Sequence, residues 1–86
     1  MERESVAAAI RAFIVGHFPA AAKRALKDQD ALLESGIVDS LGVLDVVSFI
    51  ESEFQVKVDD DDLLPENFQN IECMTAYVER KRNGGI

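Results

Sequence analysis

Apolar residues recur at helical spacing in three separate stretches of the chain. Val6, Ile10, Phe13 and Ile14 fall at i, i+4, i+7 and i+8, one face of a helix with about 3.6 residues per turn. The pattern predicts a helix over 2–16, with Glu2 and Glu4 in its first turn and Gly16 and Pro19 as its stop. From Ser40 to Phe54 the period returns, with Val43, Val46, Val47, Ile50 and Phe54 as the predicted core face. The opposite side carries Leu41, Leu44, Asp45, Ser48, Glu51 and Ser52. A third helix is predicted over 70–82, capped by Asn70 and burying Ile71, Met74, Tyr77 and Val78. Arg80, Lys81 and Arg82 suit the negative end of its dipole, and Asn83-Gly84 ends it.

Between these stretches the signals are shorter. Pro65 suits the first position of a brief helix over 65–69, QVKV reads as a short extended piece, and residues 17–39 form a long connection with a helical turn in AAAKRAL. Leu26, Leu32 and Leu33 are its candidate anchors, and the connection is expected to be ordered, because long loops are usually packed down by their own side chains. With no sustained strand alternation and no internal repeat, the fold class is a small all-α bundle of three main helices plus one short one.

At 86 residues the chain is expected to form a single domain spanning 1–86, and it leaves little room for an enclosed active site. Apolar residues make up 48%, enough for a packed core, yet no run approaches the roughly 18 apolar residues of a membrane span. MERESV is charged with both signs, so no signal peptide is legible and a cytoplasmic location is expected. The net charge of -7 disfavours nucleic acid, whose phosphates repel an acidic surface, and favours partner proteins with basic docking faces. Cys73 is the sole cysteine and is expected as a small buried core residue.

Catalytic constellations fail by elimination. His17 is the sole histidine, and VDSLG lacks the first glycine of a G-x-S-x-G elbow, so Ser40 has no triad. One Cys and one His make no zinc cluster, and Leu32, Leu33 and Leu63 break the two conceivable calcium loops at Asp28 and Asp59. Asp59 to Asp62 reads as a solvated, self-repelling acidic turn, and no glycine-rich phosphate loop is present. What remains is Ser40. Serine at a helix start is ordinarily a cap, but Asp39 caps as well, and if it does so Ser40 moves to the first helical position with its hydroxyl free. A phosphate attached there would meet unpaired N–H groups and the positive end of the dipole.

The stretch SGIVDSLGVLDVVSFIESEF resembles the signature of acyl carrier proteins, in which the serine of an Asp-Ser-Leu triplet carries 4′-phosphopantetheine. DALLESG upstream, VKVDDDDLLPENF downstream and the closing NIECMTAYVER extend the resemblance over about residues 5 to 80. It implies a right-turning helical bundle of that family and a non-catalytic, monomeric carrier. Ser40 would be modified from coenzyme A, with magnesium, by a phosphopantetheinyl transferase. The arm's thiol would hold acyl or aminoacyl groups as thioesters for loading, condensing and transfer enzymes. Asp39 and Leu41 would assist recognition, and Leu41, Leu44, Asp45, Ser48 and Glu51 would form the docking face. Gly42, Ser48 and Ser52 stand where carriers of fatty acid synthesis usually have acidic or large apolar residues. That departure points to a specialised polyketide, nonribosomal peptide or related pathway. The competing reading is an unmodified helical adaptor that binds partners through Leu41 and Leu44 while Ser40 only caps.

Overall fold

Alternation between apolar and charged positions at helical period dictates helices with one buried face, and three such helices share one core. The computed structural model describes residues 3–23 and 26–84. In order along the chain they are α1 (Arg3–His17), α2 (Pro19–Ala22), α3 (Ser40–Phe54), a 3₁₀ turn (Asp60–Asp62), α4 (Pro65–Phe68) and α5 (Ile71–Gly84). Among the described residues there is no strand, and 55–59 run without regular structure, so QVKV pairs with nothing. Glu2, the side chains of Glu4 and Asn83, and Arg24 and Ala25 of the AAAKRAL stretch lie outside the described part. The helical turn of that region is α2, which begins one residue after Phe18 with Pro19 at its first position, where a missing N–H costs nothing.

α1 buries Val6, Ala7, Ile10 and Ile14, and α5 buries Ile71, Met74, Tyr77 and Val78 against them. Asn70 caps α5 by accepting from the Cys73 N–H at 2.7 Å. Thr75, buried among these apolar side chains, donates its hydroxyl to the Ile71 carbonyl at 2.8 Å, so its burial leaves no bond unmade. Cys73 is only half-buried, because it sits at the edge of the α5 face, and its sulfur accepts from Gln69 Nε2.

The face that α3 turns inward differs from the one the periodicity predicts. Gly42, Val46, Ile50 and Phe54 are buried, spaced every fourth residue, while Val43 and Val47 are half-buried at the rim. Aromatic rings of α1 and its C-terminal edge set this rotation: Phe13 stacks on Phe49 with centroids 4.4 Å apart, and Phe18 packs on Gly42. Bulky rings on the α1 side draw the 42–46–49 edge inward and push Val47 outward.

The long connection is tied down at both ends. Leu26, Leu32, Ile37 and Val38 are buried, with Leu33 half-buried beside them. The Leu32 N–H donates to the Gln69 carbonyl at 2.8 Å and the Glu72 N–H to the Asp28 carbonyl at 3.0 Å, which fastens the connection to the start of α5. Arg11 of α1 forms an ion pair with Asp28.

Candidate functional site

The approach to Ser40 is built by a turn. Gly36 takes φ of +80°, which side-chain-bearing residues avoid, and its N–H donates to the Leu33 carbonyl while the Val38 N–H donates to the Leu32 carbonyl. Ile37 and Val38 then plunge into the core and fix where the chain emerges. Asp39 follows in extended conformation, and its Oδ1 accepts from the Gly42 N–H at 2.7 Å. Asp39 is therefore the cap of α3, and Ser40 is its first helical residue, exposed, with no hydrogen-bond partner for its hydroxyl among the described residues.

Close approach explains Gly42. A Cβ there would lie 2.7 Å from Cε1 of Phe18, closer than packed carbons come. The Phe18 ring is held in turn by edge-on contacts with Phe13 and His17, and His17 stacks on Phe13 with centroids 4.9 Å apart. His17 Nε2 lies 3.0 Å from Asp45 Oδ2, so the end of α1 grips the outer face of α3 by ring packing and by this polar contact.

Beside Ser40 opens a groove of about 680 Å³. Val43 and Leu44 of α3 form one wall, Leu63, Leu64 and Phe68 the other, with Glu34 and Asp39 at its polar edge. Leu41, Leu44, Leu63 and Leu64 are the large apolar side chains left exposed among the described residues, and Leu41 at 75% is the most exposed of them. All four lie in the groove wall or next to Ser40 in the chain. Single exposed leucines are ordinary on a protein surface; four gathered at one place mark a contact surface.

The other predicted docking residues run down α3 from there. Ser48 is exposed. Glu51 is half-buried and its Oε2 accepts from the Val58 N–H at 2.9 Å, so its carboxylate holds down the chain after α3. Leu41, Leu44, Ser48 and Glu51 thus share one side of the helix, with Asp45 beside them held by His17. Sequence periodicity missed Phe18, Leu63 and Leu64. The signal for the leucines was two apolar residues between an acidic run and a helix-starting proline, a place where nothing local buries them.

The acidic turn, expected to be self-repelling throughout, has two of its four carboxylates paired. Asp62 accepts from the Tyr77 hydroxyl at 2.8 Å, and Lys81 Nζ lies 3.3 Å from carboxylate oxygens of both Asp59 and Asp62. The Tyr77 hydrogen bond, with Lys81 assisting, holds the Asp62 carboxyl below the ordinary carboxylate range. Burial and the Asp62 contact raise the Tyr77 hydroxyl, and the hydrogen bond to Asp59 leads the upward shift of Lys81. Among the described residues no cluster of His, Cys, Asp and Glu is able to hold a metal, and no helix is long and apolar enough to cross a membrane.

Residues 13–78 match the model of the family described as phosphopantetheine attachment site. The chain belongs to this family of acyl carrier proteins. It is similar to the probable acyl carrier protein PigG of a Serratia species, 36% identical over 58 residues, 67% of either chain. To the acyl carrier protein of Thermotoga maritima it is 39% identical over 54 residues, 63% of this chain and 64% of that one. A chain in a crystal structure of an FAD-dependent dehydrogenase superposes with a TM-score of 0.72 at 29% identity, covering 80% of this carrier and 97% of that chain. The carrier's prosthetic group is covalent 4′-phosphopantetheine, and its partners are phosphopantetheinyl transferases and biosynthetic enzymes in general.

Proposed function

We propose that Ser40 carries the phosphopantetheine arm, and that the carrier itself is non-catalytic and presents acyl or aminoacyl thioesters to partner enzymes. The observation that carries the assignment is the division of labour at the helix start: Asp39 makes the capping bond at 2.7 Å and Ser40 is exposed with its hydroxyl free. The residues present fit the group. An exposed hydroxyl next to an apolar groove of about 680 Å³ accommodates a phosphodiester in solvent, with Val43, Leu44, Leu63 and Leu64 alongside the arm. When bound, the arm supplies a thiol that holds the cargo as a thioester.

In this reading Asp39 and Leu41 are recognised by the transferase, and Leu41, Leu44, Asp45, Ser48 and Glu51 are the partner contacts on α3. Leu63 and Leu64 extend that surface across the groove. Asp45 and Glu51 contribute through carboxylates already engaged by His17 and by the Val58 N–H, so they also keep the surface in shape. The carrier works as a cytoplasmic monomer in a specialised biosynthetic pathway. The small exposed residues Ser48 and Ser52 on α3 support the specialised pathway. A flavin-dependent dehydrogenase acting on the tethered cargo is proposed among its partners. The similar chain in the dehydrogenase crystal is shorter than this carrier, too short to hold a flavin enzyme of its own.

Intact mass after incubation with coenzyme A, magnesium and a broad-specificity transferase is the test. The wild-type chain should gain one phosphopantetheine and Ser40→Ala none, with both melting alike. Wild type that stays unmodified, or Ser40→Ala that is still modified, would sink the assignment.

A further inference from the structure

Phe68 anchors one end of the groove wall opposite α3 in the core, but the Leu63–Leu64 part of that wall has little core of its own to hold it. Leu63 and Leu64 are exposed, and the 3₁₀ turn Asp60–Asp62 before them buries no residue. What fixes this segment is its bonding to the second half of α5. Tyr77, itself 2% exposed, donates to the Asp62 carboxylate, and Lys81 bridges Asp59 and Asp62. The Asp62 carbonyl is held as well, accepting from Asn67 Nδ2 and from the Leu64 N–H, both at 2.8 Å. Asn67 Oδ1 in turn accepts from Arg80 Nη2 at 3.1 Å. Three α5 side chains on one face, at 77, 80 and 81, therefore grip the residues on either side of the two leucines.

We propose that this α5 clamp positions the Leu63–Leu64 wall and so sets how tightly partner enzymes engage the carrier at Ser40. Neither Tyr77 nor Lys81 lines the groove: the Tyr77 ring packs behind Phe68 with centroids 5.6 Å apart, while its hydroxyl and the Lys81 ammonium act through Asp62, whose backbone leads directly into Leu63. The inference rests on the docking reading above, in which those leucines are partner contacts. Surface ion pairs alone contribute little to stability. Tyr77 is different, because its buried ring gives the Asp62 carboxylate a fixed point to bind. Loosening the clamp is therefore expected to move the wall more than it unfolds the bundle, a signature that a merely stabilising network would not produce.

The test uses the unmodified full chain. Asn67→Ala and Lys81→Met, separately and combined, and Tyr77→Phe as a further variant, are compared with wild type by three measurements: melting temperature, amide NMR shifts of Leu63 and Leu64, and transferase kinetics. The expected result is a displacement of both leucine amides and a rise in KM of roughly threefold to tenfold, since forfeiting part of a leucine's interface burial costs up to about that much in affinity. The kcat should stay within about twofold of wild type, as for lost uniform binding, and Lys81→Arg should restore wild-type shifts and KM. The combined variant with unmoved Leu63 and Leu64 amides and an unchanged KM overturns the clamp. A Leu63→Ala/Leu64→Ala chain distinguishes the two levels. If that chain raises KM while the clamp variants do not, the clamp fails and the docking reading stands. If it leaves KM unchanged, the docking reading fails and the clamp's role in partner engagement goes with it.

Discussion

Val46→Ala and Leu44→Ala, two residues apart on α3, should fail in opposite assays. Val46 is fully buried. Removing its two methyls forfeits about 0.8 kcal/mol each in transfer free energy. A void that collapses only partly adds up to about 1 kcal/mol at roughly 24 cal/mol per Å³. Alanine's better helix propensity returns up to about 0.7 kcal/mol. The net loss is about 1 to 2 kcal/mol, which for a domain of this size lowers Tm by roughly 4 to 16 °C. Leu44, 53% exposed, has half of its surface still to bury, so its truncation should cost stability under about 1 kcal/mol. In a complex that missing half is worth about 0.8 to 1.5 kcal/mol, or roughly fourfold to twelvefold in affinity, mostly through faster dissociation. Val47, predicted for the core face but half-buried at the rim, should cost less stability than Val46 when cut back to alanine. Thermal melting monitored by circular dichroism and transferase KM on both variants decide the matter. If Leu44→Ala melts as early as Val46→Ala, or Val46→Ala weakens docking of its folded fraction as much as Leu44→Ala, the assignment of faces on α3 is wrong.

Gly42→Ala should lower Tm although it improves helix propensity by about 1 kcal/mol, because overpacking against the held Phe18 ring costs about 1 to 3 kcal/mol; in a Phe18→Ala background the same change should raise it. Asp60→Asn with Asp61→Asn should raise Tm at low salt and lose that effect by ~0.15 M, where the Debye length is about 8 Å, whereas Asp59→Asn, which strips a Lys81 contact, should not raise it. Asp62, with its carboxyl shifted below the ordinary 3.8, contributes stability that is present above that pH and lost as pH falls through its folded value, so Tyr77→Phe should flatten the acid limb of the Tm profile. Tyr77, raised above its ordinary 10.0, contributes stability that is complete below pH 10 and lost as pH rises through its folded value, so the same variant should also remove an alkaline decline; limbs of equal slope in both proteins would remove the Asp62–Tyr77 coupling from the account.

Helical period proved a good guide to what lies within a turn or two along the chain and a poor one to what lies across the bundle. The three long helices, the capping of α3 by Asp39 and the exposure of Leu41 and Leu44 all follow from residues three to eight positions apart, the range over which a helix brings side chains together. The inward face of α3 does not, because it is set from outside: Phe13 reaches Phe49 and Phe18 reaches Gly42 from residues 36 and 24 positions away. Gly42 shows the difference in kind. As a letter in the sequence it is a missing acidic residue on a docking face, whereas in the structure it is the only residue that leaves space for the Phe18 ring, so the composition of the docking surface near Ser40 is constrained from beneath by core packing. The acidic turn changes in the same way. Four adjacent aspartates predict repulsion when only their neighbours are counted, but Asp59 and Asp62 have found Tyr77 and Lys81, 15 to 22 positions away. Those two carboxylates therefore serve to anchor the Leu63–Leu64 wall, which leaves Asp60 and Asp61 as the charges free to face a basic partner.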